Sequence, residues 1–64
     1  MNYANRIKAV LVSKGLTHDR AARVFSAFVG YDVPGVTFKG WIKGRTPSRA
    51  YRQALDEWLA SVEQ

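Results

Sequence analysis

An all-α fold, a compact domain of four helices or five, is predicted by three observations. Glycines at 15, 30 and 44 divide the chain, and each is followed within three residues by Thr or Asp. Glycine tolerates the left-handed turn that ends a helix, and Thr or Asp side chains accept the orphan N–H groups that begin one. Apolar residues in the flanking segments recur at the spacing of a helix face. The one segment whose propensity favours a strand has no second strand nearby, and a lone hairpin is marginal in water. The expected helices lie near 3–14, 17–28, 34–43 and 47–62, in a single domain spanning 1–64.

The first segment carries Tyr3, Ile7, Val10, Leu11 and Lys14 at i, i+4, i+7, i+8 and i+11, with Asn2, Asn5, Arg6, Lys8 and Ser13 on the other faces. The second opens with Thr17 as cap and Asp19 in the first turn, where the helix dipole favours an acid. Its apolar stripe is read as Ala21, Val24, Phe25 and Phe28, ending between Ser26 and Gly30. The fourth is read with Thr46 as cap and Pro47 at the first helical position. It continues through Tyr51, Leu55, Trp58, Leu59 and Val62 on one face.

The third segment, GVTFKGWIKG, supports two readings. As a strand, Val36, Phe38, Gly40 and Ile42 alternate, and its β-branched and aromatic residues suit a sheet. As a helix, Phe38, Trp41 and Ile42 share one face, at a cost of roughly 1 kcal/mol for Gly40. The missing strand partner and the three flanking helices favour the helix.

Composition narrows the function. The 64 residues are 47% apolar, with two Trp, three Tyr and three Phe, which suits a small core and not a disordered chain. There is no cysteine, so neither a disulfide nor a thiolate metal site is available. No apolar run approaches the roughly 20 residues of a membrane span. The apolar positions of MNYANRIKAVLVSKG are periodic, unlike those of a signal peptide. Ten Lys and Arg against five Asp and Glu give a net charge of +5. Between Asp32 and Asp56 there is no acid, while Lys39, Lys43, Arg45, Arg49 and Arg52 all fall there. A basic stretch of this kind favours a polyanionic partner.

Catalysis is not expected. The single histidine, His18, sits beside Asp19 at a helix start, and the adjacent Asp56 and Glu57 face different ways on a helix. No His/carboxylate spacing suits a metal, and Gly35, Gly40 and Gly44 do not form a phosphate-binding loop, which needs a Gly-Lys-Ser/Thr run. Neither cofactor nor small-molecule substrate is expected. Nucleic-acid binding remains. With Phe38, Trp41 and Ile42 inward, a helical third segment turns Gly35, Val36, Lys39, Gly40 and Lys43 outward, with Thr37 at the edge. No large side chain obstructs that face. Arg45 and Arg49 follow it, where helix-start N–H groups also favour phosphate.

Two runs resemble a known family. SKGLTHDRAARVF is similar to the start of the motif in lambda-repressor-like helix-turn-helix domains of the Cro/XRE type, and VPGVTFKGWIKGRTPSRA resembles their recognition helix and its exit. The similarity spans about residues 11–59. It departs from the family in one place, a longer connection between the two motif helices, in the run SAFVGYD. The resemblance implies that Val33 is the buried residue before the recognition helix, that Gly44 closes it, and that Pro47 starts the next helix. It implies Gly35, Val36, Thr37, Lys39 and Gly40, with Lys43 at the edge, as base-reading positions. Thr17, His18, Arg45 and Arg49 are then the phosphate contacts. The expected activity is sequence-specific binding of double-stranded DNA by a small Cro-like transcriptional repressor of phage or plasmid type. It is expected to work in the bacterial cytoplasm as a homodimer on a palindromic site. Candidate dimer surfaces are the C-terminal helix edge, Phe28, Val29 and Tyr31, and Val12. The alternatives are a basic protein-interaction module or inhibitor with an acidic partner, and an RNA-binding domain. The latter usually exposes aromatics for stacking, whereas Phe38, Trp41 and Trp58 here fit a core.

Overall fold

The computed structural model describes residues 2–63 as four helices, with no strand among them: α1 (Tyr3–Lys14), α2 (His18–Val29), α3 (Gly35–Ile42) and α4 (Arg49–Val62). α3 and α4 each pack against both α1 and α2. The third segment is therefore a helix, because its two large aromatics are more valuable on one inward face than split between two faces of an unpaired strand.

The helix ends follow from capping chemistry. The Asn2 side chain accepts the Asn5 N–H at 2.9 Å and opens α1, and Thr17 Oγ1 accepts the Arg20 N–H at 3.1 Å and opens α2. Gly15 and Gly30 close these two helices. The start of α4 differs from the Thr46–Pro47 expectation. Ser48 is the N-cap, in extended conformation, and α4 begins at Arg49. Pro47 lies outside the helix with its ring fully buried. Proline also disfavours a helical conformation in the residue before it, so Thr46 stays out of the helix. A rigid apolar ring serves the core here, and the cap moves on to the next serine.

One core joins all four helices: Ile7, Val10 and Leu11 from α1, Ala21, Ala22 and Phe25 from α2, Val33, Phe38, Trp41 and Ile42 around α3, and Leu55, Trp58 and Leu59 from α4. Phe25 lies at its centre, with ring centroids 5.9 Å from Phe38, 5.7 Å from Trp41 and 5.4 Å from Trp58. The tilted and edge-on arrangements are those that the aromatic quadrupole favours. The buried stripe of α2 is rotated from the expected one. Ala22 faces inward, while Val24 and Phe28 are exposed together with Tyr31. α2 is apolar over a wide arc, and the core takes the side where two alanines let neighbouring helices approach Phe25.

A polar clamp ties α1 to the end of α4. Arg6, expected on an outward face, is half-buried, and its guanidinium makes two hydrogen bonds to the Glu63 carboxylate, at 2.9 and 3.2 Å. The Tyr3 hydroxyl donates to Asp56 Oδ1 at 2.7 Å. That bond raises the Tyr3 pKa, because ionising the phenol would remove the donor. The Arg6 hydrogen bond lowers the Glu63 pKa below its ordinary value. Glu63 therefore contributes stability above about pH 4.5, which is lost as the pH falls through its lower folded value. Chemical denaturation at pH 7 and pH 3 tests this. Glu63→Gln is expected to narrow the difference in stability between the two, and an unchanged difference would remove the clamp's acid linkage.

Candidate nucleic-acid interface

α3 has only eight residues and contains a glycine, so packing and not propensity holds it. Phe38, Trp41 and Ile42 are buried, which fixes the rotation of the helix and turns the rest outward. Its C-terminus closes with two bonds that share one cause. Gly44 takes φ +110°, its N–H donates to the Trp41 carbonyl at 3.1 Å, and the Arg45 N–H donates to the Gly40 carbonyl at 2.9 Å. This is the Schellman closure. It folds Arg45 back along α3, so that a Cβ added at Gly40 would meet Arg45 Cδ at 3.7 Å.

The entry to α3 is set by Ser26. Its Oγ donates to the Ala22 carbonyl at 2.8 Å and accepts the Val33 N–H at 2.9 Å. Serine inside a helix commonly bonds back to the carbonyl one turn earlier. Here the same oxygen also accepts from the chain that returns after the helix. The run SAFVGYD thus divides: SAFV completes α2, and the connection to α3 is residues 30–34. Val33 is buried, and Pro34 is the N-cap of α3.

Val36, Lys39, Gly40, Lys43 and Arg45 line one open groove. Val36 among them is 80% exposed, and Lys43 and Arg45 are exposed. The other expected contacts are not part of that groove. Gly35 faces α2, where a Cβ would lie 3.7 Å from Asp19 Oδ1, and Thr37 is half-buried at the side. Thr17 and His18 are exposed at the start of α2, and Arg49 is exposed at the start of α4. Thr17 Oγ1 already accepts the capping N–H, which leaves its own proton free for an outside acceptor. No side-chain cap bonds the first N–H groups of α4.

One acid reaches this face. Asp19 Oδ1 lies 3.2 Å from Lys39 Nζ, with the two side chains 73% and 42% exposed. The sequence gives no hint of this pair, since its members are on different helices and the approach depends on how α3 packs against α2. The role of Ser26 is equally hidden, because its partner belongs to the far side of a turn. Among the described residues no group of His, Cys, Asp and Glu could hold a metal ion, and no helix is long and apolar enough to cross a membrane. Comparison with protein-family models, with curated proteins and with solved structures finds no match for this chain.

Two substitutions test how α3 is held. Ser26→Ala strands the Val33 N–H and is expected to lower unfolding free energy in urea by about 1–3 kcal/mol; full stability would show that the hydroxyl bridge is dispensable. Gly44→Ala forces a Cβ into a positive-φ conformation and is expected to cost at least about 1 kcal/mol. A neutral outcome in the same assay would show that the turn re-forms without a left-handed residue.

Proposed function

We propose that this chain binds double-stranded DNA and reads its sequence with α3, as a small transcriptional repressor of the Cro-like helix-turn-helix kind. The observation that carries this reading is the groove on α3: two lysines and an arginine converge there around Val36 and Gly40, with no bulky side chain in the way. A major groove roughly 12 Å wide admits a helix, and a flat, small-residue face lets the helix lie deep in it. Lys39 donates to guanine O6 and N7, Val36 meets a thymine methyl, and Lys43 works at the rim. Gly40 offers backbone at close approach, and Thr37 its hydroxyl at the edge. Thr17, His18, Arg45 and Arg49 contact phosphates, which orient the protein without reading sequence. A single module this small buries limited DNA surface, so a two-fold homodimer on a palindromic site supplies the remaining specificity. The compartment is the one that holds the DNA, a bacterial cytoplasm for a phage or plasmid regulator.

Phe38, Trp41 and Trp58 are buried and cannot stack on bases, which weighs against an RNA-reading surface. A second reading rests on the exposed flank of Val24, Phe28 and Tyr31. Such a flank suits a protein partner, and without DNA binding it makes the chain a basic interaction module.

Selection from random duplex DNA tests the proposal: recovery of a defined, two-fold site is expected, and an empty selection favours the interaction module. On the recovered site, Lys39→Ala is expected to weaken specific binding more than non-specific binding, by a difference of about 1–3 kcal/mol. Arg49→Ala is expected to weaken both alike and to flatten the salt dependence by about one unit of slope. Affinity that does not change with salt would rule out the phosphate contacts.

A further inference from the structure

Asp19 is a carboxylate on the face proposed to meet a polyanion. An acid there weakens any complex held only by phosphates, so its presence calls for a physical role. Thr17 and not Asp19 caps α2, and the place of Asp19 in the first turn suits the helix dipole without fixing where its carboxylate points. It is not buried, and its carboxylate has Lys39 as its ion-pair partner. It also stands over Gly35 at the start of α3, so the ammonium it holds is placed along the N-terminal half of that helix. In helix-turn-helix recognition the N-terminal residues of the helix contact base edges.

We infer that Asp19 is a specificity-determining positioning residue: it holds the Lys39 ammonium on the α2 side of the groove, aimed at a base edge and away from the phosphate backbone. This rests on the DNA-binding reading of α3. The chemistry is that of a shared donor. A lysine ammonium carries three N–H groups, and the ion pair with Asp19 Oδ1 at 3.2 Å engages at most one of them. The other two remain for guanine O6 and N7, so Lys39 reads a base without leaving its carboxylate. At a non-cognate site the same bond keeps Lys39 from swinging out to a phosphate on its flexible stem. Discrimination rises because the pair is kept in the cognate complex, while in the non-cognate one it denies a contact that carries no sequence information.

The test compares wild type, Asp19→Asn, Lys39→Ala and the double variant on the selected duplex and on a scrambled duplex of equal length, across a salt series. Thermal unfolding confirms that each variant is folded, and Asp19→Ser serves as a second substitution that also removes the charge. For Asp19→Asn, tighter binding to the scrambled duplex is expected, with a slope of log K against log salt steeper by about 0.9, the value for one added phosphate contact. The ratio of specific to non-specific affinity is expected to fall about tenfold, the lower range for one base contact. With Lys39 already alanine, removing the Asp19 charge is expected to leave that ratio unaltered. An Asp19→Asn protein that discriminates as well as wild type overturns this inference alone, as does an equal loss of discrimination in the Lys39→Ala background. A wild type that binds both duplexes equally, or neither, overturns this inference together with the DNA reading beneath it.

Discussion

Phe25 is the constraint on which the rest of the structure depends. Its side chain is fully buried, and its ring touches residues from both α3 and α4. α3 could not persist alone: it is two turns long, has no side-chain cap and carries Gly40 in its interior. Phe38 and Trp41 meet the Phe25 ring and each other, with Trp58 closing over Phe38. Truncating a buried Phe to Ala typically costs about 3–5 kcal/mol, comparable with the whole stability of a domain of this length. The aromatic cluster therefore decides both whether α3 exists and which way it is rotated. That rotation turns Val36, Lys39 and Lys43 outward, so the groove is a consequence of the core.

Packing fixes rotation, but the ends of α3 are fixed by polar groups. At the entry, Ser26 gives the returning chain one acceptor, so the Val33 N–H is satisfied while the Val33 side chain enters the core. At the exit, Gly44 bends the chain so that Arg45 returns along the groove. Were either end loose, the short helix could slide along its axis while keeping its aromatics buried. The last turns of α2 fit this scheme. They carry Ser26 and Val29, the first bonded to the connection and the second packed against the core. The C-terminal end of α2 thus anchors the entry to α3.

Much of this was legible in the sequence because it is local. Gly15, Gly30 and Gly44 mark helix ends by conformation, and the spacing of Phe38, Trp41 and Ile42 gives the inward face of α3. What could not be read depends on contacts between segments. α2 has apolar residues over too wide an arc to show which part is buried, and Val24 and Phe28 lost to Ala22 only because α3 and α4 approach on the alanine side. Pro47 offers the same local signal whether it opens a helix or precedes one, and its burial decided the matter. Arg6 gave no sign of its partner because Glu63 is at the far end of the chain. The outward placement of Val36, Lys39, Gly40 and Lys43 was legible from their spacing, whereas the turn of Gly35 toward α2 and the approach of Asp19 were not, since both depend on tertiary packing.

The charges of the fold show a division that net charge conceals. Asp56 and Glu63 of the C-terminal region are engaged by Tyr3 and Arg6, so they join α1 to α4 and leave the α3 cations alone. Among the described residues, the only ion pair made by a cation of α3 is Lys39 with Asp19. Lys43 and Arg45 share the groove without such a partner. At about 0.1 M salt the screening length is about 10 Å, less than half of the smallest dimension of the molecule, 21 Å. A polyanion on the groove therefore senses its nearest charges far more than the total of +5. Those nearest charges include two cations without an ion-pair partner among the described residues and one lysine paired with an acid. The two without a partner attract any anion that approaches the groove, whereas the third has its direction biased by the Asp19 carboxylate on α2.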